Sequence, residues 1–85
     1  MESYRLQIKR SAVRELERLP LKDRQRVVER IQALSAQPRP QGSEKLSGLD
    51  RYRIRQGAYR IPYAVDDTDR AVTIVRIGHR RDEYR

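Results

Sequence analysis

Eighty-five residues build one small domain with a modest hydrophobic core and leave no room for a second unit, so the chain reads as a single domain over 1–85. Lys and Arg number 20 against 12 Asp and Glu, and the formal net charge of +8 favours a polyanionic partner: nucleic acid, an acidic protein or an anionic membrane surface. Cysteine is absent, which excludes disulfide scaffolds, thiolate zinc sites and cysteine nucleophiles.

The first element is a short half-buried strand in which Tyr4, Leu6 and Ile8 alternate with Arg5, Gln7 and Lys9. Ser11 stands where a helix N-cap belongs, and Val13, Leu16 and Leu19 follow at near-helical spacing until Pro20 ends the first helix. A second helix is predicted from about Lys22 to Leu34, with Val27, Val28, Ile31 and Leu34 as its apolar stripe and Arg24, Arg26, Glu29 and Arg30 on its wet side. Ser35 to Lys45, SAQPRPQGSEK, holds two prolines and a glycine without periodicity and reads as a loop.

Strand periodicity returns at Arg51, where Arg51, Arg53 and Arg55 alternate with Tyr52 and Ile54. Gln56 and Gly57 are read as a two-residue turn, which sets Arg55 opposite Ala58 and Arg53 opposite Arg60. The return strand, Tyr59 to Val65, puts Tyr59, Ile61, Tyr63 and Val65 on one face. Pro62 lies on the other face, where it requires a bulge or a locally unpaired position. Asp66 to Asp69 form a polar turn, Ala71 to Ile77 the last strand, and Gly78 ends it. The expected fold is α+β: an N-terminal strand, two helices, then a three-strand antiparallel meander with both helices on one sheet face. The open face then carries Arg53, Arg55 and Arg60. Arginines gathered there weaken the pairing unless an anion sits among them.

Three lysines, Lys9, Lys22 and Lys45, leave seventeen arginines among the basic residues. Their planar forks meet phosphate or carboxylate two-pronged, so the bias points to oriented anion contacts; the compositional taste of a genome produces the same bias. The N-terminal MESYRLQIKR lacks the apolar run of a secretion signal, and no stretch approaches the ~20 apolar residues of a membrane helix. A cytoplasmic protein without membrane association is expected.

The segments KLSGLDRYRIRQGAYRIPY and TIVRIGHRRDEYR, following two amphipathic helices, resemble the RelE toxin family of the RelE/ParE superfamily. The most specific elements are the YRIR-x-G-x-YR hairpin and the terminal GHRR-x-x-Y. The resemblance implies a toxin made with a cognate antitoxin. In the RelE branch it implies a ribosome-dependent endoribonuclease that cuts mRNA, and in the ParE branch a poison of DNA gyrase. Mapped residue by residue, it assigns the catalytic positions to Arg53, Arg55, Arg60, Arg80 and Tyr84. One departure is evident: several RelE enzymes carry lysine at the two positions held here by Arg53 and Arg55. Arginine does not give up its proton, so neither is a general base.

Cleavage by an adjacent 2′-OH requires removal of its proton, stabilisation of charge on a phosphorane-like centre and protonation of the leaving 5′-oxygen. The arginines supply the second need, Tyr84 is the candidate for the first, and Arg80 orients the leaving oxygen or donates a hydrogen bond to it. Positioning by the ribosome contributes to the rate. Arg51, Arg76 and Arg81 are candidate RNA contacts, and no metal or small-molecule cofactor is expected.

Each residue has a plainer alternative. The hairpin arginines can seat an acidic antitoxin segment, Arg80 can be an exposed strand-end residue, and Tyr84 a lid on the core or a frayed terminus. His79, the only histidine, alternates away from Arg80 and reads as a packed or rim residue. Two rival functions stand beside the nuclease: a gyrase inhibitor that cuts nothing, and a non-catalytic nucleic-acid-binding module whose binding falls steeply with salt.

Overall fold

A computed structural model describes residues 3–46 and 50–79. Its elements run β1 (Arg5–Ile8), α1 (Arg10–Glu17), α2 (Leu21–Ala36), β2 (Glu44–Lys45), β3 (Arg51–Gln56), β4 (Tyr59–Asp66), β5 (Ala71–Ile74) and β6 (Gly78–His79). The strands form one sheet in the order β1-β5-β4-β3-β2, with β6 beside β4. The antiparallel meander β3-β4-β5 is present as expected. The sheet as a whole is mixed, because β1 lies parallel to β5 and pairs Leu6 with Val72 and Ile8 with Ile74.

Period-two alternation decides which sheet face is covered. Tyr52, Ile54, Tyr59, Ile61, Tyr63, Val65, Val72 and Ile74 are buried on one face, against Ala12 of α1 and Val27, Ile31 and Leu34 of α2. Both helices therefore pack on the same side. Burying an Ile or Leu side chain of this kind stabilises the fold by roughly 1.5–3 kcal/mol. Val28, read from the sequence as part of the α2 stripe, is only half-buried.

The β3–β4 turn corrects the expected register. The loop is Gly57–Ala58 and not Gln56–Gly57, so Gln56 pairs with Tyr59, Arg55 with Arg60, Ile54 with Ile61 and Arg53 with Pro62. Gly57 has φ +59° while Ala58 is not among the positive-φ residues, which is the type II′ requirement of glycine at the first loop position. The new register also sets Tyr52 against Tyr63, with ring centroids 5.9 Å apart and stacked. Each strand keeps its facing, because alternation is blind to which residue a position meets across the ladder.

Pro62 sits in the strand without a bulge. Its carbonyl accepts from the Val75 backbone N–H at 3.0 Å, on the side where β5 has ended and β6 has not begun. A missing N–H on that side interrupts no ladder, which is the locally unpaired position the sequence allowed. The predicted last strand, Ala71 to Ile77, is split at this point. Gly78 opens β6 instead of ending a strand, and the Ile77 N–H is taken by Glu15 Oε1 of α1 at 2.9 Å.

Two helix boundaries differ from expectation. Lys9, not Ser11, is the N-cap of α1, and no side chain caps it. The Lys9 N–H is bound to Ile74 O across the β1–β5 ladder, so sheet pairing holds the chain straight to Lys9 and the helix starts there. Pro20 serves as N-cap of α2, which begins at Leu21. At the end of α1 the Arg24 guanidinium donates to the Glu17 and Leu19 carbonyls at 3.1 and 3.2 Å, placing a cation where a helix leaves its carbonyls unpaired. No helix among the described residues is long and apolar enough to cross a membrane.

Candidate functional site

The sheet face away from the helices collects the arginines. Arg51, Arg53 and Arg55 project from β3 at two-residue intervals, about 7 Å apart along the strand. On β4 they meet Ala64, Pro62 and Arg60 in turn. The small side chain of Ala64 leaves Arg51 exposed, whereas Arg53, across from Pro62, is partly covered. Arg55 and Arg60 lie directly across from each other, an arrangement of like charges that weakens strand pairing by roughly 0.2–1 kcal/mol unless an anion intervenes.

A carboxylate flanks the arginines of β3 on the side away from β4. Glu44 of β2 pairs with Arg53 in the ladder, accepts from Arg53 Nη2 at 2.9 Å through Oε2, and brings Oε1 to 3.6 Å from Arg55 Nη2. The Glu44 carboxylate is half exposed, so its ion pairs stabilise the fold by about 0–1 kcal/mol at most. Arg53 is the most covered of the pair, with 22% of its side chain exposed against 55% for Arg55. Its Nε is buried without a hydrogen-bond partner, so half of the guanidinium fork is unused. A buried orphan donor of this kind costs on the order of 1–3 kcal/mol.

Arg76 approaches the same end of the sheet. Its Nε lies 3.6 Å from where a Cβ on Gly78 would project, and Gly78 is the ladder partner of Arg60. Arg76 also pairs with Glu15 at 3.7 Å, so it is tethered to α1 while lying beside the Arg60 strand. Arg53, Arg55 and Arg60 are thus brought together on adjacent strands, with Arg51 at one end of the row and Arg76 near the other. Arg80, Arg81 and Tyr84 lie outside the described residues.

The described phenols are not bases for this face. Tyr59 and Tyr63 point to the helix side, and burial pushes both above the ordinary tyrosine pKa, with Tyr59 raised further by donating to Asp23 at 2.9 Å. His79 belongs to the same side. Its ring stands edge-on to Tyr59 at 5.2 Å in a small recess lined by Asp23, Arg26 and the hairpin tip, which fits the rim position read from the sequence.

Two features escaped the sequence reading. Glu44 lies in a stretch that reads as loop, because a two-residue strand displays no period; the one signal in the sequence is an acidic residue shortly before an arginine-rich strand. The second is Arg39, in the same stretch. It grips Asp67 two-pronged at 3.2 and 2.7 Å, donates through Nε to the Tyr52 hydroxyl at 2.8 Å and lies over the Tyr52 ring. Tyr4 donates to the same carboxylate at 2.6 Å. This cluster ties the chain between α2 and β2 to β3 and the β4–β5 turn, which fixes the path that delivers Glu44.

Comparison with known proteins gives this geometry its context. The family profile described as ParE toxin of type II toxin-antitoxin system, parDE, matches residues 6–84. The chain is 35% identical over 86 residues to Toxin RelG of Mycobacterium tuberculosis, covering 96% of this chain and 97% of that protein. It is 29% identical over 86 residues to Putative toxin RelE1 of Methanocaldococcus jannaschii, covering 96% of each. Among solved structures, the toxin–antitoxin complex RelBE2 of M. tuberculosis superposes with a TM-score of 0.80 at 31% identity, over 92% of this chain and 99% of that one. The archaeal RelE–RelB complex of Pyrococcus horikoshii superposes with a TM-score of 0.80 at 30% identity, over 91% of this chain and 94% of that one. Motif, fold and relatives agree, and the chain belongs to the RelE/ParE family of toxins from type II toxin–antitoxin systems.

Proposed function

We propose that this toxin is an mRNA endoribonuclease of the RelE kind, acting on translating ribosomes and cleaving by attack of the 2′-OH on the adjacent phosphodiester without a metal ion. The observation that carries the reading is the convergence of Arg53, Arg55 and Arg60 on the open face of β3 and β4. Guanidinium donors fixed on a rigid sheet meet the charge that develops on the phosphoryl oxygens in the transition state, and they need not reorganise as it forms. The relatives named RelG and RelE1 favour the RelE branch.

Arg80 and Tyr84 enter through the family pattern: Arg80 toward the leaving 5′-oxygen, and Tyr84 as the base whose phenolate neighbouring arginines stabilise. Arg51, Arg76 and Arg81 extend the contact along the RNA backbone. The M. tuberculosis and P. horikoshii relatives were solved as toxin–antitoxin complexes, which supports a cognate antitoxin here whose acidic segment covers the basic face and folds as it binds. A ribosome as partner supports a cytoplasmic site of action.

Primer extension on an mRNA translated with and without the protein tests the reading. Cuts confined to the translated frame are expected, and their loss in Tyr84→Phe is the expected signature of the phenol as base. The matching profile bears the ParE name, which supports one rival, a gyrase inhibitor. Intact message together with accumulating gyrase–DNA breaks would establish that rival instead.

A further inference from the structure

We propose that Glu44 is a built-in counter-anion of the RNA-binding face: it holds the Arg53 and Arg55 guanidiniums in place when no RNA is present, and an RNA phosphate displaces it on binding. The inference rests on the reading of that face as a phosphodiester site and adds to it a positioning residue that also sets the threshold for binding. Three observations carry it. One carboxylate reaches both guanidiniums, through Oε2 at 2.9 Å to Arg53 and Oε1 at 3.6 Å to Arg55, so it occupies the position the two non-bridging oxygens of a phosphodiester would take. It engages only Nη2 of Arg53 and leaves Nε buried and unpaired, whereas a phosphate taken side-on uses both nitrogens of the fork. Finally, Glu44 lies on a two-residue strand and is half exposed, so its side chain can swing away without opening the core.

The consequence is a competition. Single phosphates and short non-cognate RNA must overcome the carboxylate, while RNA held at several points does so readily. The carboxylate also preorganises the forks, since long arginine side chains on an open face are otherwise free to scatter.

The test measures affinity of the full-length toxin for a short single-stranded 2′-O-methyl RNA, which retains its phosphates but lacks the attacking hydroxyl, by fluorescence anisotropy over a range of salt. Glu44→Gln keeps the shape and removes the charge. It is expected to bind about three- to tenfold more tightly, the scale of one half-screened charge interaction at contact distance. Its salt dependence should steepen by about 0.7 in the slope of log K against log salt, because one more phosphate is neutralised with release of a counterion. Glu29→Gln on the exposed outer side of α2 removes the same net charge behind the sheet and should stay within about twofold of wild type.

Equal or weaker binding by Glu44→Gln, with a thermal unfolding midpoint like that of wild type, overturns the inference and leaves Glu44 a purely structural anchor. Equal tightening by Glu29→Gln overturns it as well, since net charge alone would then explain the gain. A double variant Arg53→Ala, Arg55→Ala separates the two levels of argument. If it binds the RNA as wild type does, the phosphate-face reading itself fails; if it loses binding while Glu44→Gln shows no gain, only the role of Glu44 fails.

Discussion

On the nuclease reading, Arg53→Ala should separate catalysis from folding. The guanidinium it removes is the most covered of the Glu44-linked pair, so it works in a less solvated setting than Arg55. Removing one preorganised donor to a developing oxyanion typically slows cleavage by about 10²–10³, equivalent to about 2.7–4 kcal/mol. The folded state loses far less. The Glu44 ion pair, with its carboxylate half exposed, contributes about 0–1 kcal/mol. Against that, the variant removes an orphaned buried Nε that costs on the order of 1–3 kcal/mol. Together they leave a net change between about zero and 3 kcal/mol in favour of the variant, so its unfolding midpoint should be no lower than that of wild type. Ile54→Ala provides the contrast: Ile54 is fully buried, and the substitution should cost about 2–5 kcal/mol. Cleavage is followed by primer extension in a reconstituted translation reaction, and folding by circular dichroism. Arg53→Ala cleaving within tenfold of wild type, or losing cleavage only because it unfolds, would refute the assignment of this arginine to transition-state charge.

Further expectations concern the parts that hold the face in place. Tyr63 is fully buried and donates to the Pro38 carbonyl at 2.7 Å, so Tyr63→Phe should destabilise by about 1 kcal/mol, read as a drop of about 4–8 °C in thermal unfolding. Gly57 has φ +59° with open space where a Cβ would go, so Gly57→Ala should pay only the backbone cost of about 1–2 kcal/mol, visible as a lower urea midpoint. The Arg39 hydrogen bonds, and then that of Tyr4, hold the Asp67 carboxyl below the usual aspartate range. Its contribution to stability is therefore complete above the ordinary pKa of about 3.9 and fades as pH falls through the lower folded value. Asp67→Asn should lower the unfolding midpoint at pH 7 and flatten its decline below about pH 4, and a decline as steep as that of wild type would show that the carboxylate is not the titrating group.

The sequence made legible what local alternation controls. Alternation puts Arg53, Arg55 and Arg60 on the open face, and Tyr52, Ile54, Tyr59 and Ile61 in the core, even with the turn set one residue early. That error moved ladder partners by two positions, and a shift of two leaves every side chain on its own face. What was hidden depended on distant pairing. The N-terminal strand gives no sign that it will run parallel to β5, sixty-six residues along. Ser11 offered a better cap than Lys9, but the β1–β5 ladder fixed where the helix begins, so tertiary pairing overrode local preference. Glu44 and Arg39 lie in an aperiodic stretch whose course is set by Asp67, Tyr52 and Pro38, none of them near in sequence.

The two sides of the sheet divide the work of folding and of function. One side is closed by two helices over tyrosines and aliphatic residues, and Asp67, Arg39 and Tyr4 brace the chain that leads to β2. That side supplies nearly all the burial, so the other can hold an unfavourable charge distribution without losing the fold. On the open side, Arg55 faces Arg60 across the ladder, and the Glu44 carboxylate is shared between two guanidiniums. Sharing satisfies neither fully: Arg53 keeps an unpaired Nε, and Arg55 holds its carboxylate oxygen at 3.6 Å. Such a surface is stable when empty and better satisfied when an anion with more oxygens arrives. On the proposed nuclease reading, a phosphodiester is that anion as substrate and an acidic antitoxin segment replaces it as inhibitor, so both would compete for the same unmet donors. Substitutions that relieve the charge conflict should therefore stabilise the fold and weaken both interactions together.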